Sequence, residues 1–195
     1  MDKKTIENIM KTPGEVRGAV FQTDAEYVKR HFGIEKLQKA KKQLNEWGYP
    51  IEYETIKAME WYPAGLRALS LLAIKEAFSL NDEQIKDMGN EAPKHSFVIK
   101  LVMKFFLSIE KIFEMAPDIW KRHWSAGTLE TDKYDKKSKT LTLRIKDLSL
   151  HPVFCLYEAG YFLRIAQYAK KSATVQQTKC TFRGDPYHEY TIILG

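Results

Sequence analysis

Apolar residues recur along this chain with two different periods, and the change of period divides it. Up to about residue 127 the spacing is helical. Val16 to Phe21 reads as an extended piece. Thr23-Asp24-Ala25-Glu26 then has the form of a capping box, with Gly33 placed to end the short helix it would open. Ile34, Leu37, Ala40, Lys41 and Leu44 predict a second helix stopped at Gly48, with Trp47 as an anchor, ahead of the Tyr49-Pro50 break. Ala64 to Phe78 predicts a helix buried on most sides, and Asn81-Asp82-Glu83-Gln84 opens a short one closed by Gly89. From Ser96 to Met115 a wide apolar stripe that includes Phe97, Leu101, Phe105, Ile109 and Phe113 predicts a central helix. It breaks at Ala116-Pro117, because proline disfavours the α region in the residue before it.

After Gly127 the period becomes two. Thr128 to Tyr134 and Lys139 to Ile145 read as a hairpin in which Leu141, Leu143 and Ile145 alternate with Thr142 and Arg144. Helical spacing returns over Pro152 to Ala169. A second strand pair, Thr174 to Phe182 and Tyr187 to Leu194, then closes around Arg183-Gly184-Asp185-Pro186. The pattern predicts an α+β protein: a helical lobe over residues 1–127, then a four-stranded antiparallel sheet in β-β-α-β-β order over 128–195, packed against helices within one domain.

Composition changes this picture little. The 195 residues, 44% hydrophobic and 29% charged, suit an ordinary globular core and exclude collagen-like or disordered chains. The net charge of +6 comes from cations interleaved with acids, as in Glu35-Lys36 and Glu110-Lys111. It reads as a solubilising surface, and no nucleic-acid recognition motif accompanies it. Two cysteines rule out a disulfide scaffold and suit a reducing, cytoplasmic setting. No stretch has the length and apolarity of a membrane span.

Phosphate-cradling, dinucleotide, zinc-protease and nucleophile-elbow motifs are all missing, so no catalytic residue is assigned. One group of soft donors stands out. His151 and Cys155 lie one helical turn apart, and Cys180 and His188 fall on the two strands of the last hairpin, a set of types that suits zinc.

The same region carries a family likeness. Cys155-Leu156-Tyr157-Glu158-Ala159-Gly160-Tyr161-Phe162-Leu163, followed by Lys179-Cys180-Thr181-Phe182-Arg183-Gly184-Asp185-Pro186-Tyr187-His188, resembles the end of the 4-vinyl-reductase domain family. That family shares a fold group with the haem-based nitric-oxide sensors (H-NOX) and the transport-particle subunits of Golgi trafficking. Helices followed by a four-stranded antiparallel sheet interrupted by a helix are common to the group. In members that sense aromatic compounds, the resemblance implies a cysteine-bound zinc beside a buried ligand pocket. Cys155 and Cys180 match that pattern, while the last cysteine is replaced by His188 and the expected acidic ligand falls on Gln177.

The haem branch is compared on the same basis. Its Leu-Asp-x-x-His motif has no histidine in the corresponding Phe106 to Phe113, and its Tyr-x-Ser-x-Arg motif is missing from Leu143-Arg144-Ile145-Lys146-Asp147. Haem is therefore not expected, with His123 the one nearby substitute for an axial ligand. The resemblance implies a non-enzymatic binding or sensory module. Its cavity for a small hydrophobic or aromatic molecule would be lined by Phe105, Ile109, Phe113, Trp120, His123, Trp124 and Tyr161. A second reading is a dimeric scaffold using aromatics near the N-terminal helices (Trp47, Tyr49, Trp61, Tyr62). A third is a haem-dependent gas sensor or a reductase acting on a tetrapyrrole.

Overall fold

The most apolar helix of the sequence becomes the axis of the N-terminal half. In the computed structural model, which describes residues 1–95, 109–132 and 134–195, α4 (Ala64–Ala77) has ten of its fourteen residues buried. Helices α1 (Lys3–Met10), α2 (Ala19–Phe32) and α3 (Leu37–Glu46) pack around it. The approach of α1 is close enough that a Cβ at Gly65 would lie 2.5 Å from the Ile9 carbonyl oxygen, so only glycine fits there. A short ribbon of β1 (Glu15–Arg17) and β2 (Trp61–Pro63), antiparallel with Val16 opposite Tyr62, ties the loop before α2 to the start of α4. The extended piece expected over Val16 to Phe21 is confined to β1, because α2 already begins at Ala19, and the three residues of β2 are too few to carry a readable period.

Two helix boundaries differ from the sequence reading for identifiable reasons. Helix α2 begins at Ala19, four residues ahead of the expected cap. Thr23 donates its hydroxyl back to the Ala19 carbonyl (3.0 Å) instead of capping, and Asp24 lies mid-helix, fully buried, facing α4. Helix α5 (Asp82–His95) does open on a reciprocal cap: Gln84 N–H donates to Asn81 Oδ1 and Asn81 N–H donates to Gln84 Oε1, each at 2.9 Å. It then runs straight through Gly89. That glycine marks a contact, since a Cβ there would stand 2.0 Å from the Tyr157 carbonyl oxygen.

Of the expected central helix, Ile109–Glu114 (α6) is helical, and α7 (Ala116–His123) follows with Pro117 in its first turn, where a missing N–H is harmless. The rest of that stripe, Phe105 included, lies outside the described residues, as does the side chain of Ile109.

The C-terminal half has the expected β-β-α-β-β order. Strands β3 (Thr128–Thr131), β4 (Thr140–Lys146), β5 (Thr174–Lys179) and β6 (His188–Ile193) form one antiparallel sheet in the order β3-β4-β6-β5. Leu141, Leu143 and Ile145 are buried opposite Ile192, Tyr190 and His188. Helix α8 (Pro152–Ala169) packs on β5 and β6 with one side and on α5 with the other. The α5 and α8 backbones approach closely at two glycines, Gly89 and Gly160. A Cβ at Gly160 would lie 1.9 Å from the Lys86 carbonyl oxygen. Packing over this sheet joins the two halves in a single core.

The aromatics offered as a scaffold surface are not an open apolar face. Trp47, Tyr49 and Tyr62 pack against the core, and the Arg17 guanidinium covers Trp61, 3.7 Å above its ring. Among the described residues no helix is long and apolar enough to cross a membrane.

Candidate functional site

Two clusters of chemistry flank α8. The first is a cavity of about 150 Å³ between the helical half and the sheet, walled by α2, α4, α5, α6, α7, β3 and α8. Five residues expected to line a ligand pocket meet on its wall: Phe113, Trp120, His123, Trp124 and Tyr161. Spacing within α6, α7 and α8 brings this about, because residues three or four apart share a helix face. Trp120 and Trp124 stack with their planes 13° apart and centroids at 5.2 Å, and Phe154 meets Trp124 edge-on at 5.2 Å. The Trp120 indole N–H is already committed to the Ala126 carbonyl (3.3 Å), so that side chain presents an apolar surface. His123 differs. Its Nδ1 hydrogen-bonds the Ile119 carbonyl (2.9 Å), which leaves Nε2 as the ring nitrogen able to take a ligand.

The polar part of the wall was not found by sequence reasoning. Arg67 of α4 and Glu158 of α8 both line the cavity, 1% and 7% exposed. Arg67 lies over the Tyr157 ring, 4.3 Å from its centroid, and its Nη1 donates to Asp24 Oδ2. That oxygen also accepts from Ser70 Oγ at 2.7 Å, and the Ser70 hydroxyl in turn pairs with Tyr53 Oη at 2.9 Å. Arg67 Nη2 and Asp24 Oδ1 are buried with no hydrogen-bond partner among the described residues. Burial pushes the Asp24 carboxyl up, against the pull of Arg67 and the Ser70 hydroxyl. Burial likewise pushes Glu158 up, to about 7, with Arg67 opposing. The signal available in the sequence was charge inside an apolar run: Arg67 is the only charged residue from Ala64 to Ile74.

The second cluster lies at the N-terminal end of α8, against the last two strands. Cys155, Cys180 and His188 are buried with one donor atom each, all within 4.8 Å of one another. Cys155 Sγ is 4.0 Å from Cys180 Sγ and 3.5 Å from His188 Nδ1. His188 Nε2 faces the Leu148 carbonyl at 3.1 Å, a contact that orients the ring with Nδ1 toward the thiols. Burial lowers the His188 pKa, and burial together with the neighbouring Cys180 pushes the Cys155 thiol up to about 12. Gln177 sits beside Cys155 and, as a hydrogen-bond donor to the sulfur, opposes that rise. His151, the fourth residue of the expected set, is placed elsewhere: its Nδ1 accepts the Val153 N–H at 3.1 Å and caps the start of α8. The cluster is a possible metal site with three donors, one short of the tetrahedral set that structural zinc takes.

A helical lobe, a four-stranded antiparallel sheet interrupted by one helix, and a cavity between them define the H-NOX-like fold. Among solved structures the chain is similar to H-NOX proteins. One from Shewanella oneidensis in the Fe(II)NO ligation state has a TM-score of 0.67 at 13% identity, covering 92% of this chain and 99% of that one. The unliganded Fe(II) H-NOX protein of K. algicida gives 0.65 at 15% identity, over 92% of this chain and 96% of that one. The protein from Shewanella woodyi in the Fe(II)CO state gives 0.64 at 16% identity, over 91% and 94%. No protein-family model and no curated protein matches the chain. The likeness to 4-vinyl-reductase domains thus rests on the motifs around Cys155 and Cys180 alone.

These neighbours overturn one expectation, that haem is not held. It rested on two missing motifs, yet the fold matched across nine-tenths of the chain is that of H-NOX proteins solved in Fe(II) states. The stretch searched for an axial histidine, Phe106 to Phe113, also falls largely outside the described residues. On the described wall, His123 has its Nδ1 anchored by the Ile119 carbonyl, an arrangement that metal-ligating imidazoles also use.

Proposed function

We propose that this protein is a ligand-binding module of the H-NOX-like fold whose cavity takes a small hydrophobic or aromatic molecule, about one ring in size. The cavity volume, about 150 Å³, carries this reading. A cavity of that size lined by apolar side chains can admit benzene. The lining supports it too: Phe113, Trp120, Trp124, Phe162 and Ile165 supply apolar surface, and among the described residues the polar groups come from Arg67, Glu158, Tyr157, Tyr161, Thr23 and His123. Calorimetric titration with toluene tests it. Saturable binding is expected, and Ala92→Leu, which puts a larger side chain into the wall, should abolish it. Absence of heat and of thermal stabilisation at millimolar toluene refutes the reading.

Haem is the second reading, supported by the Fe(II) neighbours and by His123. The group would be held through His123 Nε2 and by the aromatic wall, and its iron would supply the site for a diatomic ligand. Since the cavity is sized for one ring, side chains of α7 would have to withdraw to admit the macrocycle. Reconstitution with haem distinguishes the two: a Soret band that disappears in His123→Ala supports haem, and no band in either protein removes it.

A further inference from the structure

The wall of the cavity contains a fixed side chain, Arg67, with one nitrogen that has no acceptor among the described residues. Resting on the one-ring reading above, we infer that the cavity selects molecules whose ring carries a neutral hydrogen-bond acceptor, a carbonyl above all, which binds to the free Nη2 of Arg67.

Three observations carry this. Arg67 is 1% exposed and lines the cavity, yet among the described residues its Nη2 has no partner. A buried charged donor left unpaired is costly, and an acceptor brought in by a ligand would recover that cost. The guanidinium is also held in place, by Asp24 at Nη1 and by the Tyr157 ring beneath it, so the donor is preorganised and little ordering is needed on binding. Finally, the charge on Arg67 is already balanced by Asp24, with Glu158 as a further carboxyl on the wall. An anion would add net negative charge to a buried site, and a cation would face the guanidinium. A neutral carbonyl gains the hydrogen bond without either cost.

Four probes at pH 7 test the inference on the wild-type protein by calorimetry: toluene, cumene, benzamide and benzoate. Cumene matches benzamide in shape without its polar atoms. Benzamide is expected to bind at least ~10-fold more tightly than cumene, the ratio that a hydrogen bond to a charged donor supplies, and benzoate more weakly than benzamide. In the double variant Arg67→Met with Asp24→Leu, which does not strand Asp24 as an unpaired carboxylate, the benzamide preference should vanish while toluene binding survives. Equal affinities for cumene and benzamide in the wild type overturn this inference alone, as does tighter binding of benzoate. Failure of all four probes to bind overturns the cavity reading beneath it. Because the wild-type series decides by itself, the inference stays refutable even if the double variant does not fold.

Discussion

Glu158 should make the stability of this protein fall as pH rises through neutrality, and Glu158→Gln should remove that fall. The carboxyl is 7% exposed on α8, and among the described residues no group hydrogen-bonds it. Burial raises it from the ordinary 4.5 to about 7, with Arg67 opposing. The folded state therefore holds a proton that the unfolded chain has already released between those two values. Stability from this group is complete below about 4.5 and is lost as pH climbs to about 7. At ~1.4 kcal/mol per pH unit the full loss is about 3 kcal/mol. His151 and His188, lowered by burial, act in the opposite direction: the stability they contribute is lost as pH falls. A wild-type curve alone mixes these effects, but the difference between wild type and variant cancels them. Urea unfolding of both proteins at pH 5, 6, 7 and 8 measures it. Glu158→Gln should be within about 1 kcal/mol of wild type at pH 5 and more stable by about 3 kcal/mol at pH 8, or roughly 6–12 °C in midpoint for a chain of this size. A difference that stays flat from pH 5 to pH 8 would falsify the assignment of a buried, proton-holding Glu158.

Three further outcomes follow from other contacts. Arg67→Met alone strands Asp24 in the core and should cost about 3–5 kcal/mol, whereas Arg67→Met with Asp24→Leu should recover most of that loss; additive losses in a double-mutant cycle contradict a coupled pair. Gly89→Ala and Gly160→Ala each place a Cβ about 2 Å from a carbonyl oxygen of the facing helix, and each should destabilise by ~3 kcal/mol, at the upper end of overpacking costs. Urea midpoints unchanged by both substitutions would show that α5 and α8 can separate freely. Cys155 and Cys180 are buried, and the Cys155 thiol is pushed up to about 12. Both thiols should react with a disulfide reagent at pH 8 roughly 100-fold more slowly in the native protein than in urea, and equal rates would contradict that burial.

Elements whose pattern depends on a single helix or strand were legible in the sequence. Leu141, Leu143 and Ile145 alternate because one face of β4 meets the core, and Pro152 to Ala169 coincides with α8 to the residue. Errors came where a residue type has two uses. Thr23 to Glu26 has the composition of a cap, but Asp24 is needed inside α2 to meet Arg67, 43 residues away, and no local pattern encodes that partner. Gly89 has the composition of a stop, but it serves the crossing with Tyr157 on α8. The same division runs through the candidate site. Its aromatics were visible as stripes, and Cys155, Cys180 and His188 through a motif. The cavity's donor and its proton-holding carboxyl were hidden, because a charge inside an apolar run shows its purpose only once its surroundings are known.

That asymmetry bears on what the cavity recognises. Aromatic side chains at helical spacing would line a core whether or not anything bound there, so Trp120, Trp124 and Phe113 say little about a ligand by themselves. Arg67 says more. A buried ion pair is seldom the most stable filling for a core, and an apolar pair of similar volume in place of Arg67 and Asp24 would hold α2 against α4 at least as well. Stability therefore does not explain why a guanidinium stands on this wall with one nitrogen unpaired. The proposed recognition of a polar ligand group would, since selectivity for a polar group in an apolar pocket comes from a partner that is left unsatisfied when the wrong molecule binds.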